Sequence, residues 1–230
     1  MNTVPRAILL AGVGAVLLTA GCGTVPSKRY YTLNYVPETL RERVRQGPYP
    51  FTVRVRELDI EEAYARPQIV YRKSPFELEY YFYRVWAVKP TRMITDLIHK
   101  HLLASEVVSS VVRRYDEGAK PHYEIGGMIE AIEEYDSDQI WFAHLALNLR
   151  LVRLEDGKVL YSRRFDHRKK LFANQPELVV KEMSVIVEHI LNQLMHDVDV
   201  VLAREYGMTL DDGPVPADAD SVLDTPELWQ

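Results

Sequence analysis

The amino-acid sequence predicts an α+β fold, a largely antiparallel sheet with two helices packed on one face. Three observations predict it. β-Prone segments lie both before and after one helical stretch, a second and longer helical stretch closes the folded region, and the strongest turn signal, Asp156-Gly157, separates two alternating runs as a hairpin requires. Strands, helix, strands, helix in that order imply helices layered on a sheet.

The first strand signal is Tyr30-Tyr31-Thr32-Leu33-Asn34-Tyr35, aromatic and β-prone. Residues 51–56, Phe-Thr-Val-Arg-Val-Arg, alternate apolar and polar at period two. Residues 68–72 and 77–85 flank Lys73-Ser74-Pro75-Phe76, which reads as a hairpin connection. Pro90 suits the first turn of a helix, and Met93, Ile94, Leu97, Ile98, His101 and Leu102 recur at the spacing that lays one helical face on a core. Residues 107–112 are a short β-branched run. Tyr123, Ile125, Ile129 and Ala131 form the next strand, with a bulge expected at Gly126-Gly127. Leu145, Leu147, Leu149 and Leu151 share one strand face, with His144, Asn148 and Arg150 on the other; the chain returns through Val159, Tyr161 and Phe165. The last helix is expected from about Gln175 to Tyr206. Asn174 with Glu177 is expected to cap it, and Val179, Met183, Ile186, Val187, Ile190, Leu194, Val198 and Val201 form its buried stripe.

The N-terminus reads as a segment apart. Arg6 is the only charge before Lys28, and residues 7–20 are apolar or small. A spanning helix needs roughly 20 apolar residues, so this shorter stretch suits a signal peptide, residues 1–21. Leu17-Leu18-Thr19-Ala20-Gly21-Cys22 resembles the bacterial lipobox, whose cysteine accepts a diacylglyceryl group. The lipobox usually has Leu three residues before the cysteine, where this chain has Thr19, still small and uncharged. Cys22 is the single cysteine of the chain and the expected lipidation site. It leaves none for disulfides or cysteine-ligated zinc in the mature protein. Residues 22–28 are expected to be a short tether, 29–210 a single α+β domain, and the Pro-, Ala- and acid-rich 211–230 a disordered tail with too little apolar surface to offset ordering entropy.

Net charge is −5 and the basic residues form only short runs among acids, so nucleic acid is not an expected partner. Catalytic and metal-binding signals are absent. His99 and His101 point in different directions on a helix, and His189 and His196 stand two turns apart, on the order of 10 Å; surface or half-buried histidine is the expected environment. Glu61-Glu62 and Glu133-Glu134 are adjacent on strands and face opposite ways, as solvated charges do. There is no Gly-x-Ser-x-Gly and no phosphate loop; Gly12-x-Gly14 belongs to the signal segment. The run Tyr80-Tyr81-Phe82-Tyr83 stands out. Leu78, Tyr80 and Phe82 share parity and are expected in the core. Tyr81 and Tyr83 follow Glu77 and Glu79, so they are expected outward, offering a partner contact.

A lipobox followed at once by Arg29-Tyr30-Tyr31-Thr32-Leu33 resembles the auxiliary lipoproteins of ABC-type transport systems, the PqiC-like partners of MCE-domain proteins. The resemblance continues through Tyr83-Arg84-Val85-Trp86-Ala87-Val88-Lys89-Pro90, the hairpin region from Ile129 to Phe165 and the long last helix, covering nearly the whole mature chain. No single motif in it is highly specific, and the acidic tail has no counterpart. The resemblance implies a non-enzymatic, cofactor-free lipoprotein facing the periplasm, at the outer membrane. It implies help in moving phospholipid or another hydrophobic substrate between envelope membranes, with an MCE-domain protein and an ABC permease and ATPase as partners, and self-assembly into an oligomer. Gly23 follows the cysteine in place of the aspartate that retains many lipoproteins at the inner membrane. The competing class is an envelope assembly lipoprotein of channel-plug or pilot type, which shares a sheet-plus-two-helix plan; a periplasmic enzyme is a third.

A triacylated cysteine gains about 0.8 kcal/mol per buried methylene, enough for permanent anchoring. Wild-type protein should therefore take up radioactive palmitate and partition with membranes, whereas Cys22→Ser should fold but leave them. A serine variant that matures normally and stays membrane-bound would refute the lipid anchor.

Overall fold

The computed structural model describes residues 26–37, 40, 43–114, 120–136 and 140–208. Cys22 and the acidic tail lie outside them. Among the described residues no helix is long and apolar enough to cross a membrane.

The fold is α+β, a curled nine-stranded sheet carrying two helices. Its strands are β1 (Arg29–Tyr31), β2 (Tyr49–Val55), β3 (Asp59–Ile60), β4 (Gln68–Ser74), β5 (Glu77–Trp86), β6 (Val108–Val112), β7 (Tyr123–Asp136), β8 (Trp141–Arg153) and β9 (Val159–Leu171). The helices are α1 (Pro90–Ser105) and α2 (Pro176–Glu205). The long ladders β7–β8 and β8–β9, and the β4–β5 hairpin, are antiparallel, as the alternation and turns predict. The sequence did not announce the short parallel pairings. β2, β3 and β4 line up one after another along the free edge of β7, pairing with its residues 123–125, 128–129 and 133–135. β6 joins β2, and β1 joins β5, also in parallel.

One core lies between sheet and helices. Leu145, Leu147, Leu149 and Leu151 are fully buried beneath α2, whose Val179, Met183, Ile186, Val187, Ile190, Leu194 and Val198 are buried against them; Val201 is only half-buried. The α1 face is buried as its spacing predicts, and His101 with it, its Nδ1 2.9 Å from the Tyr35 hydroxyl. The first strand is shorter than its β-propensity predicts. Beyond Tyr31 the chain leaves the ladder and straps the helices: Leu33 is buried with its N–H 3.3 Å from Met93 Sδ on α1, and the Asn34 N–H donates to Ser184 Oγ on α2. Farther on, the Val44 N–H donates to the buried Asp199 of α2 at 2.7 Å.

Two local expectations are corrected. Asn174 does not cap α2: Gln175 occupies the N-cap position with no side-chain cap bond, and Pro176 follows it. With its amide turned to suit both neighbours, Asn174 instead donates to Glu134 at 3.3 Å and accepts from the Trp141 indole at 2.9 Å. The bulge falls between Ile129 and Ala131, not at Gly126-Gly127, which stay in register with Arg150 and Leu149.

Gly127 is required for another reason. A Cβ there would sit 2.0 Å from the Asn148 carbonyl oxygen of the neighbouring strand, whereas one on Gly126 would meet only the flexible Arg56 side chain at 3.2 Å. Gly127→Ala should therefore cost about 3 kcal/mol through forced backbone displacement, a drop in Tm on the order of 10 °C. Gly126→Ala should melt close to wild type, and equal losses at the two positions in a thermal scan would refute the close-approach argument.

Candidate functional site

The bulge after Ile129 sets the facing of the rest of β7: Ile132 and Glu134 point to the helix side, Glu133 to the outer face. The two glutamates do face opposite ways, but they are not solvated; Glu133 is 1 % exposed and Glu134 0 %.

Glu133 is the centre of the outer-face cluster. Its direct cross-strand partner is His144, whose Nδ1 lies 3.0 Å from the carboxylate. From β4, which pairs with β7 beside it, Arg72 Nε donates at 2.8 Å. A single 3-10 turn, Glu62–Tyr64, lifts off between β3 and β4 and delivers the Tyr64 hydroxyl at 2.6 Å. Two residue pairs along the β8–β9 ladder, opposite Ala146, Asp166 meets His144 Nε2 at 2.9 Å. Arg164 then links Asp166, at 2.8 Å, to Glu130, at 2.6 Å.

The electrostatics follow from this geometry. Burial disfavours charge on Glu133, but the bonds from His144, Arg72 and Tyr64 outweigh it and hold the carboxyl below its usual value. The His144 bond, reinforced by Arg164, holds Asp166 well below the ordinary carboxylate range. Burial opposes protonation of His144, yet Asp166 and Glu133 together raise it above an ordinary histidine despite the nearby Arg168. A carboxylate oxygen thus stands at hydrogen-bond distance from each ring nitrogen. Among the described residues no group of three His, Cys, Asp or Glu side chains is placed to hold a metal ion. The arrangement can clamp β4, β7, β8 and β9 together.

On the helix side, Glu134 accepts from the Tyr81 hydroxyl at 2.8 Å, and burial raises its pKa. This inverts the expected facing of β5. Tyr81 is half-buried and packs against the core, its ring 4.6 Å from that of Tyr71; Tyr83 is half-buried too, edge-on to Phe82. Tyr80 is exposed, lying under the Arg66 guanidinium, and Phe82 is 75 % exposed. The charge rule misled because the inner face is polar here: Glu79 points inward, where Tyr71 and Lys73 bind it. The pairing of β4 with β5 also breaks register between Gln68 and Val70, opposite residues 80–85.

At the start of α2, Glu177 accepts from Arg29 at 3.2 Å and from the Tyr31 hydroxyl at 2.9 Å. A carboxylate in a first turn also suits the helix dipole. Arg29 and Tyr31 are therefore pinned to both sheet and helix. The Glu133–His144–Asp166 cluster was missed in the sequence. The available signal was the one polar parity of β8, His144 opposite the leucines.

These features define an α+β module with a structural charge cluster and an N-terminal strap. A protein from Xanthomonas campestris matched to the DUF330 family shares the fold, with a TM-score of 0.69 at 16 % identity over 78 % of this chain and all of that one. Lower similarities include a hypothetical protein of Chlamydia trachomatis (TM-score 0.49, 8 % identity, 68 % of this chain and 99 % of that one) and the PelC dodecamer of Paraburkholderia phytofirmans (TM-score 0.40, 12 %, 70 % and 95 %). No curated protein sequence matches significantly. The model of the ABC-type transport auxiliary lipoprotein component matches residues 31–195, and the chain belongs to that family. It is thus an auxiliary, transport-associated lipoprotein of the cell envelope, in a family of auxiliary lipoproteins rather than of a known enzyme class.

The cluster makes stability depend on pH. His144 has a raised folded pKa, so its contribution is complete below about 6.5, the unfolded value, and is lost as pH rises through the folded one. Glu133 and Asp166 have lowered folded pKa values; their contribution holds above about 4.5 and is lost on acidification. His144→Gln should cost about 3 kcal/mol near pH 6, because it leaves buried carboxylates short of a cation. The deficit relative to wild type should shrink toward about pH 9. Urea titrations across that range check it; a pH-independent deficit would show that His144 acts only through packing.

Proposed function

We propose that the chain, lipidated at Cys22 and facing the periplasm from the outer membrane, serves as a non-catalytic docking subunit of an MCE-type transport system. Its partners are an MCE-domain protein and, across the envelope, the ABC permease and ATPase. The cargo is phospholipid or another hydrophobic molecule passing between the membranes. The observation that carries this reading is the family match over residues 31–195. Gly23 after the lipidated cysteine supports delivery to the outer membrane. The bonds of Arg29, Leu33, Asn34 and Val44 to the two helices support a role as a fixed platform, since they hold the start of the described chain to the core. ATP hydrolysis falls to the transporter's own ATPase, because the sequence has no phosphate-binding loop outside the signal segment.

The test is crosslinking in intact cells, followed by solubilisation, affinity capture of the full-length chain and mass spectrometry. Co-capture of an MCE-domain protein and an ABC permease is the expected outcome, and fractionation should place the complex with the outer membrane. Recovery of an outer-membrane β-barrel or secretin in their place would move the protein to the envelope assembly class.

A further inference from the structure

One end of the sheet concentrates features that the transport reading does not use. β4 and β7 finish at this end and β5 and β8 start there, so the connection between β4 and β5 projects from it; β9 ends beside it, pairing Leu171 with Trp141. The β4–β5 turn carries Phe76, 97 % exposed, and the residue after β9 is Phe172, 96 % exposed. Two bare phenylalanines on separate connections at one end of the sheet leave apolar surface that water alone does not favour. Exposed Lys28 and Lys170 accompany them, together with Glu77.

The chain enters at the same end. β1 is parallel to β5, pairing Arg29 with Arg84 and Tyr31 with Trp86, so the chain enters β1 from the side of the β4–β5 turn. Arg29 itself is fixed by Glu177. From Cys22 to Arg29 is seven residues (29 − 22), at most about 24 Å when fully extended. From Arg84 back to the start of β5 at Glu77 is also seven (84 − 77), about 23 Å at strand rise. A lipid on Cys22 can therefore reach at most a little beyond the sheet end.

We infer that this sheet end seats on the membrane that holds the anchor, with the Phe76 and Phe172 rings inserted at the boundary between headgroups and acyl chains. The inference rests on lipidation of Cys22. The occupant is the lipid surface rather than a second copy, because the tether leaves no room for another domain between this end and the bilayer. Apolar insertion supplies the attraction, and the lysines sit where anionic headgroups would favour them.

The test uses the full-length chain, purified with its lipid and reconstituted into vesicles of phosphatidylethanolamine and phosphatidylglycerol containing nitroxide-labelled lipid. Lipid blocks the Cys22 thiol, so a fluorophore can be placed on Glu77→Cys or Ala173→Cys, beside each phenylalanine, or on Lys158→Cys at the opposite end of the sheet. Labels at 77 and 173 should be quenched several-fold more than the label at 158, and the excess should be lost when Phe76→Ser and Phe172→Ser are combined. Equal, weak quenching at all three sites in a chain shown by mass spectrometry to be lipidated would overturn the inference and leave the anchor standing. A chain that carries no lipid would overturn both. Shielding of 77 and 173 from aqueous iodide without lipid quenching would assign this end to a second copy and likewise overturn membrane seating.

Discussion

The long strand β7 is the constraint on which the rest of the structure depends. Its fourteen residues are bonded along both edges, by β8 over the whole length and by β2, β3 and β4 in turn on the other side. A strand held on two edges and covered on its inner face can tolerate little displacement, which is why the missing Cβ at Gly127 matters: β8 passes too close for any side chain there. The three short parallel partners exist because their chain segment follows β7 without matching its length, breaking first after β2 and again at the 3-10 turn. That second break delivers Tyr64 to Glu133.

Burying two adjacent glutamates on opposite faces of such a strand is costly unless each finds partners. Glu133 has Arg72, Tyr64 and His144; Glu134 has Tyr81 and Asn174. The energetic value of such a buried ionic cluster against an apolar replacement is commonly near zero. Its effect on register is larger. A slip of β8 by one residue would place Ala143 or Leu145 opposite Glu133 and strand the carboxylate, while turning the leucine row away from α2. The apolar and polar faces of β8 thus specify the same alignment.

The helices are held in two ways. The inner face of α2 meets the leucines of β8, α1 packs on β2 and β6, and the backbone of Leu33, Asn34 and Val44 is tied to Met93, Ser184 and Asp199. A load applied at Arg29 therefore enters through the β1–β5 ladder and the Glu177 contacts, and spreads into sheet and helix together.

Much of this was written in periodicity. The leucine row of β8, the apolar stripe of α2, the face of α1, the Asp156-Gly157 return and the β4–β5 hairpin each follow from local alternation or turn chemistry, and the structure places them accordingly. What local pattern could not carry was contact between distant segments. The parallel pairings of β2, β3 and β4 with β7 join residues some seventy positions apart. The facing of Tyr81 depended on a polar inner surface, to which Glu79, Tyr71 and Glu134 come from three different strands. The same holds for Asn174, drawn from its cap by Glu134 and Trp141, and for Glu133 and His144, whose burial is set by a turn and by neighbouring strands. Sequence alone determined which elements form and which of their faces are apolar, because these are short-range properties of the chain. Tertiary structure alone decided which charges are buried, because desolvation and pairing depend on what arrives from elsewhere.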